Sequence, residues 1–241
     1  MAAGERGSVH IPDGFINAPT SLAAGAVAAG GVGVSLRRAA QTLQEKQAPL
    51  AGLVAAYIFA VQMLNFPVAA GTSGHLLGGC LAAVLVGPWA GALCVSVVLL
   101  VQGLLFADGG LSALGLNIIN MALVTAWGGY AIFLLLRRAL PATKTGVTIS
   151  AGVAAGISVV LASFAFVVEY AVGGNGGAPV GTVFAAMVGV HTLIGIGEGI
   201  ITALTVGVVL GVRPDLVYGA ADLQTPLVLG TKPGDPAREV S

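Results

Sequence analysis

The chain has 241 residues, of which 56% are hydrophobic and only 8% charged, where an ordinary water-soluble domain carries about a quarter charged residues. That composition cannot coat a surface for water and suits a protein whose solvent is lipid; a formal net charge of zero gives no reason to expect a nucleic-acid partner. The 37 glycines follow no collagen-like period.

From the N-terminus, Met1–Ser8 is polar and lacks the apolar core of a signal peptide. A spanning helix needs roughly 20 apolar residues. Runs of that length predict spans over 17–36, 48–66, 88–107, 112–136, 146–171 and 180–210, with a shorter apolar segment at 74–87. Arg37, Arg38 and Lys46 follow the first span; Arg137, Arg138 and Lys144 precede the one at 146–171; Arg213, Lys232 and Arg238 follow the last. Basic loops face the cytoplasm, so these clusters share a side only if 74–87 also crosses. The expected architecture is therefore all-α, with about seven transmembrane helices. Its N-terminus is outside and folded into the bundle, and its C-terminus is cytoplasmic. Of the 10 basic residues, Arg6 alone breaks the pattern. The outer loops become Asn65–Ser73, Asp108–Leu111 and Gly173–Val180, and 224–241 reads as a disordered tail. No internal repeat of the kind found in many secondary transporters is evident.

Small-residue runs at Ala23–Gly33 and Gly152–Gly156 fit close helix approach in lipid. Cys80 and Cys94 lie in apolar stretches without a CxxC spacing and read as small core residues.

All 3 histidines fall toward the outer half of this topology, where an ionisable group is a functional candidate. His10 opens His10-Ile11-Pro12-Asp13-Gly14-Phe15, whose Pro12 and Gly14 bracket Asp13 in a turn that folds the N-terminus back. His75 follows Gly71-Thr72-Ser73-Gly74, a polar approach to the next helix. His191 lies within the last span, two turns before Glu198 on the same face. A single histidine near an interface is as readily an anchor as a ligand, and a buried carboxylate such as Glu198 as readily joins helices. Glu169 reads as interfacial, Asp108 before Gly109-Gly110 as a turn former, and Asn117 and Asn120 as interhelical hydrogen-bonders.

His10-Ile11-Pro12-Asp13-Gly14-Phe15 resembles the N-terminal signature of the CbiM/NikM family. That family comprises the substrate-specific subunits of energy-coupling-factor (ECF) cobalt and nickel transporters. Asn65-Phe66-Pro67 with Gly71-Thr72-Ser73-Gly74-His75-Leu76-Leu77-Gly78-Gly79 is similar to its second signature. Phe106-Ala107-Asp108-Gly109-Gly110 with Leu114-Gly115-Leu116-Asn117, and Gly189-Val190-His191 with Gly195-Ile196-Gly197-Glu198-Gly199, are similar to later blocks. The resemblance runs in order over about residues 9–223, one transmembrane domain.

The resemblance implies transported Co(II) or Ni(II) as cargo and no permanently bound cofactor. Its ligand set is an N-terminal amine, the amide and imidazole of the following histidine (His10), and a second histidine (His75). Asn65, Thr72 and Ser73 would hold the His75 ring, and His191 is an additional candidate. An all-nitrogen, near-planar set suits Ni(II) and also takes Co(II) or Cu(II). The family signature opens with Met-His, whereas here Met1–Ser8 and Val9 precede His10. We therefore expect residues 1–8 to be a non-native or processed extension and Val9 to stand where the initiating Met would be, a GTG codon being read as Met at a start.

No G-x-x-x-x-G-K-[ST] occurs, so the expected role is a transporter subunit without its own ATPase site, not an enzyme. The resemblance implies cytoplasmic ATPase (A/O) subunits, a transmembrane coupling (T/Q) subunit and a small auxiliary membrane (N) subunit, in the bacterial plasma membrane. An auxiliary subunit on a separate chain points toward cobalt and cobalamin synthesis. The competing reading is a self-sufficient secondary transporter or channel for divalent ions.

Overall fold

The computed structural model describes residues 10–42, 48–63, 66–69 and 72–223. The apolar runs become helices: α1 (Ala18–Thr42), α2 (Ala48–Gln62), α3 (Gly79–Val86), α4 (Pro88–Leu105), α5 (Leu114–Ala139), α6 (Lys144–Gly173) and α7 (Val180–Val212). Five of them, α1 and α4–α7, are long and apolar enough to cross a membrane, while α2 has 15 residues. Large apolar side chains on the outer faces, such as Leu22, Leu105, Ile196 and Val212, are exposed. That arrangement is unfavourable in water and expected against lipid.

Two expectations change. The 74–87 segment is helical only over the 8 residues of α3, about 12 Å at the rise of an α-helix. Every residue of α3 is buried, so it is an inner element wrapped by its neighbours rather than a lipid-facing span. The stretch expected as an outer loop before it carries a short antiparallel hairpin, β1 (Phe66–Ala69) and β2 (Thr72–Gly74). The middle of α5, Ile118–Gly128, is wound as a π-helix, a departure that apolar periodicity does not reveal.

Small residues set the closest packing. α6 and α7 run antiparallel, and Gly152 faces Gly199 as Gly156 faces Gly195. A Cβ on Gly152 would stand 2.8 Å from the Gly199 carbonyl, and one on Gly156 would stand 2.9 Å from that of Gly195. Cys80 and Cys94 are free and buried, as expected. At the basic end, Arg137 pairs with Asp222 at 2.6 Å and Tyr218 packs near Tyr130. These contacts fold 214–223 under the bundle.

Candidate metal centre

The N-terminal segment is woven into the opposite end. Asn117 on α5 grips Ile11 twice: the Ile11 N–H donates to Oδ1 at 3.0 Å, and Nδ2 donates to the Ile11 carbonyl at 3.3 Å. Gly110 N–H donates to that same carbonyl at 2.9 Å. Ser112 donates its N–H and hydroxyl to Asp13 Oδ1 at 2.7 and 2.5 Å. Those bonds, hydroxyl first, hold the Asp13 carboxyl below its usual range. Asn175 donates to the carbonyls of Phe15 (3.0 Å) and Gly14 (2.9 Å). Gly109, at φ +91°, makes the close passage possible, because a Cβ there would lie 2.8 Å from His10 Cβ. The expected turn at Pro12–Gly14 is present, with Gly14 at φ +77°.

This weave buries His10 to 3% exposure beside His75 at 2%. Their ring centroids are 5.0 Å apart in an edge-to-face arrangement. His10 Nδ1 also stands 3.1 Å from Asp108 Oδ1, so Asp108 is more than a turn former. Ala107, non-glycine at φ +52°, helps turn it there. His75 Nδ1 lies 2.8 Å from the Leu76 carbonyl. A carbonyl can only accept, so Nδ1 carries the proton and Nε2 keeps its lone pair. His75 Nε2 is buried with no hydrogen-bond partner among the described residues.

His75 sits on non-helical backbone, 75–78, inside the bundle. Unpaired peptide groups at such depth are costly, and two polar side chains satisfy them. Glu198 of α7, 1% exposed, accepts from Leu77 N–H at 2.6 Å and from Gly78 N–H at 2.9 Å. Gln62 of α2 donates to the Leu77 carbonyl at 2.8 Å. Gly78, at φ +79°, turns the chain into α3. The expectation that Glu198 joins helices holds in this form. Gln62 is not among the residues expected at the site, although a glutamine in the otherwise apolar α2 is a signal the sequence carries.

His10 and His75 open onto a cavity of about 640 Å³ that His191, Asn120, Met121 and Met187 also line. His191 Nδ1 bonds the Met187 carbonyl at 2.8 Å, and Asn120 Nδ2 donates to Glu169 at 2.7 Å. Glu169 is therefore tied to α5 rather than simply interfacial. Among the described residues, no three His, Cys, Asp or Glu side chains group closely enough to hold a metal ion. Val9 and Asn65 lie outside the described residues, as do Met1–Ser8 and 224–241, and Thr72 and Ser73 fall on β2.

The profile described as "Cobalt uptake substrate-specific transmembrane region" matches residues 10–216. The chain belongs to the CbiM family. This CbiM-family chain is 37% identical over 164 residues to the fused nickel transport protein NikMN of Rhodobacter capsulatus, covering 68% of this chain and 47% of that protein. It is 36% identical to the cobalt transport protein CbiM of Sorangium cellulosum, covering 70% and 76% of the two chains. A solved transition metal transporter, truncated, has the same fold with TM-score 0.74 at 29% identity, covering 84% of this chain and 98% of that one. The CbiM-family chain is thus a multi-pass membrane protein and a cobalt/nickel transport component.

Proposed function

We propose that the chain is the ion-capturing membrane subunit of an ATP-driven importer of the energy-coupling-factor type, taking Co(II) in preference to Ni(II) for cobalamin synthesis. The observation that carries this reading is the pair of buried imidazoles, His10 and His75, 5.0 Å apart on the wall of a cavity of about 640 Å³. Neutral imidazoles suit these borderline ions. The remaining nitrogens come from the His10 amide and from an amine at position 9, with Asn65, Thr72 and Ser73 holding the His75 ring. Fused chelation by the His10 amide and ring uses Nδ1, the nitrogen next to Asp108. The ion therefore takes Nδ1 from Asp108 and leaves the carboxylate alongside as a countercharge. Seven crossings, N-terminus outside, put Arg37, Arg137, Lys144 and Arg213 on the cytoplasmic side. There the ATPase and coupling subunits engage. The name NikMN of a relative that this chain only partly spans supports a small N-type partner.

The test is a titration of Co(II) and Ni(II) into two purified forms, one starting with Met in place of Val9 and one retaining residues 1–8. Tight binding by the short form alone, abolished by His75→Ala, is the expected result, and the tighter ion names the cargo. Equal binding by both forms removes the amine from the site. Uptake into vesicles lacking ATPase subunits would instead favour a self-sufficient transporter.

A further inference from the structure

The cavity wall carries polar groups that the capture site does not use, and they share a direction of bonding. Asn120, 5% exposed, has its amide orientation fixed by Glu169: a carboxylate accepts, so the donor Nδ2 turns to it at 2.7 Å and the carbonyl Oδ1 is left over. That Oδ1 is buried and has no hydrogen-bond partner among the described residues. His191 follows the same logic. Its Nδ1 faces the Met187 carbonyl at 2.8 Å and so bears the proton, which leaves Nε2 as a lone pair. His75 has likewise committed Nδ1 to Leu76.

Around one cavity, three side chains have thus given their N–H groups to the protein and kept their acceptor atoms. Water can satisfy isolated acceptors. A wall of acceptors with a carboxylate one hydrogen bond behind it presents negative potential, which favours a cation over an anion or a neutral solute. Met121 and Met187 add polarizable thioethers beside them.

We propose that Asn120 Oδ1 and His191 Nε2 form a second, weaker station for a partly hydrated divalent ion in the same cavity, with Glu169 as the positioning residue that aims Asn120. The proposal rests on the capture reading for the identity of the ion, but its residues are distinct from those of the capture site. One carbonyl oxygen and one imidazole replace few waters of the ion, so affinity is modest and release is easy. That is what a path toward or away from a tight site requires.

The test uses the purified chain starting with Met in place of Val9, the form that the capture reading requires, titrated with Co(II) alone and read by equilibrium dialysis and by the visible spectrum of the bound ion. Expected are two equivalents, the second about 100-fold weaker than the first. His75→Ala removes the first and leaves the second. Asn120→Leu combined with His191→Ala removes the second and leaves the first within about threefold. Glu169→Gln, which no longer dictates how the Asn120 amide lies, weakens the second at least about fivefold and shifts its spectrum. Should the double variant fail to fold, Asn120→Asp serves in its place. It keeps the volume, adds charge, and must strengthen the second station by about fivefold or more. Saturation at one equivalent overturns the proposal, as does a second equivalent indifferent to Asn120 and His191. A second equivalent that survives while no equivalent depends on His75 would overturn the capture reading and leave this station standing.

Discussion

Asn117 shows how one side chain can seat a ligand it never touches. Its amide holds both the N–H and the carbonyl of Ile11, the residue after His10. Replacing Asn117 with Leu orphans the buried Ile11 N–H at a cost of about 1–3 kcal/mol, while the Ile11 carbonyl keeps its bond from Gly110. Thermal unfolding in detergent should fall accordingly, and Co(II) affinity should drop at least about tenfold. Asn117→Asp, which keeps the acceptor, should retain more of both. Asp13 gives a pH signature. Its folded carboxyl lies below the usual range because Ser112 donates to it. Its contribution to stability is thus present above the unfolded value of about 3.9 and is lost as pH falls through the lowered folded value. The difference in melting temperature between wild type and Asp13→Asn should be full near neutrality and vanish in strong acid. The histidines were legible in the sequence because ionisable groups are rare in an apolar chain. Gln62 was not, since a neutral amide raises no charge alarm and its partner, the Leu77 carbonyl, lies 15 residues away.

At the scale of elements, the stretch 75–78 is a piece of non-helical backbone clamped from two helices, α2 through Gln62 and α7 through Glu198. Glu198→Ala leaves two buried N–H groups without partners, a loss on the order of 3 kcal/mol. Nickel or cobalt binding should weaken with it although Glu198 is no ligand in the proposed site. Glu198→Gln, with one acceptor oxygen left, should fall between, and a Glu198→Ala protein binding metal like wild type would sink the clamp. The α6–α7 seam makes a second prediction. A Val at Gly156 sets side-chain atoms against the Gly195 carbonyl, where even a Cβ would stand 2.9 Å away. Overpacking of that kind costs about 1–3 kcal/mol and should appear as a lower melting temperature with metal stoichiometry intact. Small-residue runs announced close packing from the sequence alone. Which glycine meets which was not legible, because spacing within one helix says nothing of its neighbour's register. That α3 is short and lies wholly inside the bundle was not legible for a related reason. A buried inner helix and a lipid-facing one are equally apolar, and length was the feature that separated them.

For the whole molecule, the composition that excluded water as solvent also explains the division between an apolar outside and a polar inner seam. Exposed Leu, Ile and Val cover the outer faces. The buried polar groups His10, His75, Gln62, Asn117, Asn120 and Glu198 line contacts among elements distant in sequence. The helical order, the N-terminal turn and the family were readable in the chain. The pairing of residue 11 with 117, or 77 with 198, was not, because it joins places about a hundred residues apart that no local pattern relates. The basic end closes by Arg137–Asp222, far along the chain from His10 and His75.

That remoteness has a consequence for synthesis. Residues 75–78 leave the ribosome well before α7, which supplies Glu198. Until then the Leu77 and Gly78 amides lack their acceptor in a medium that offers none. The histidine-bearing segment must therefore wait for the last helix to insert. A nascent chain stopped before residue 180 would hold most of its spans and no finished site, and competence for the ion would arrive in a single step, with the insertion of α7.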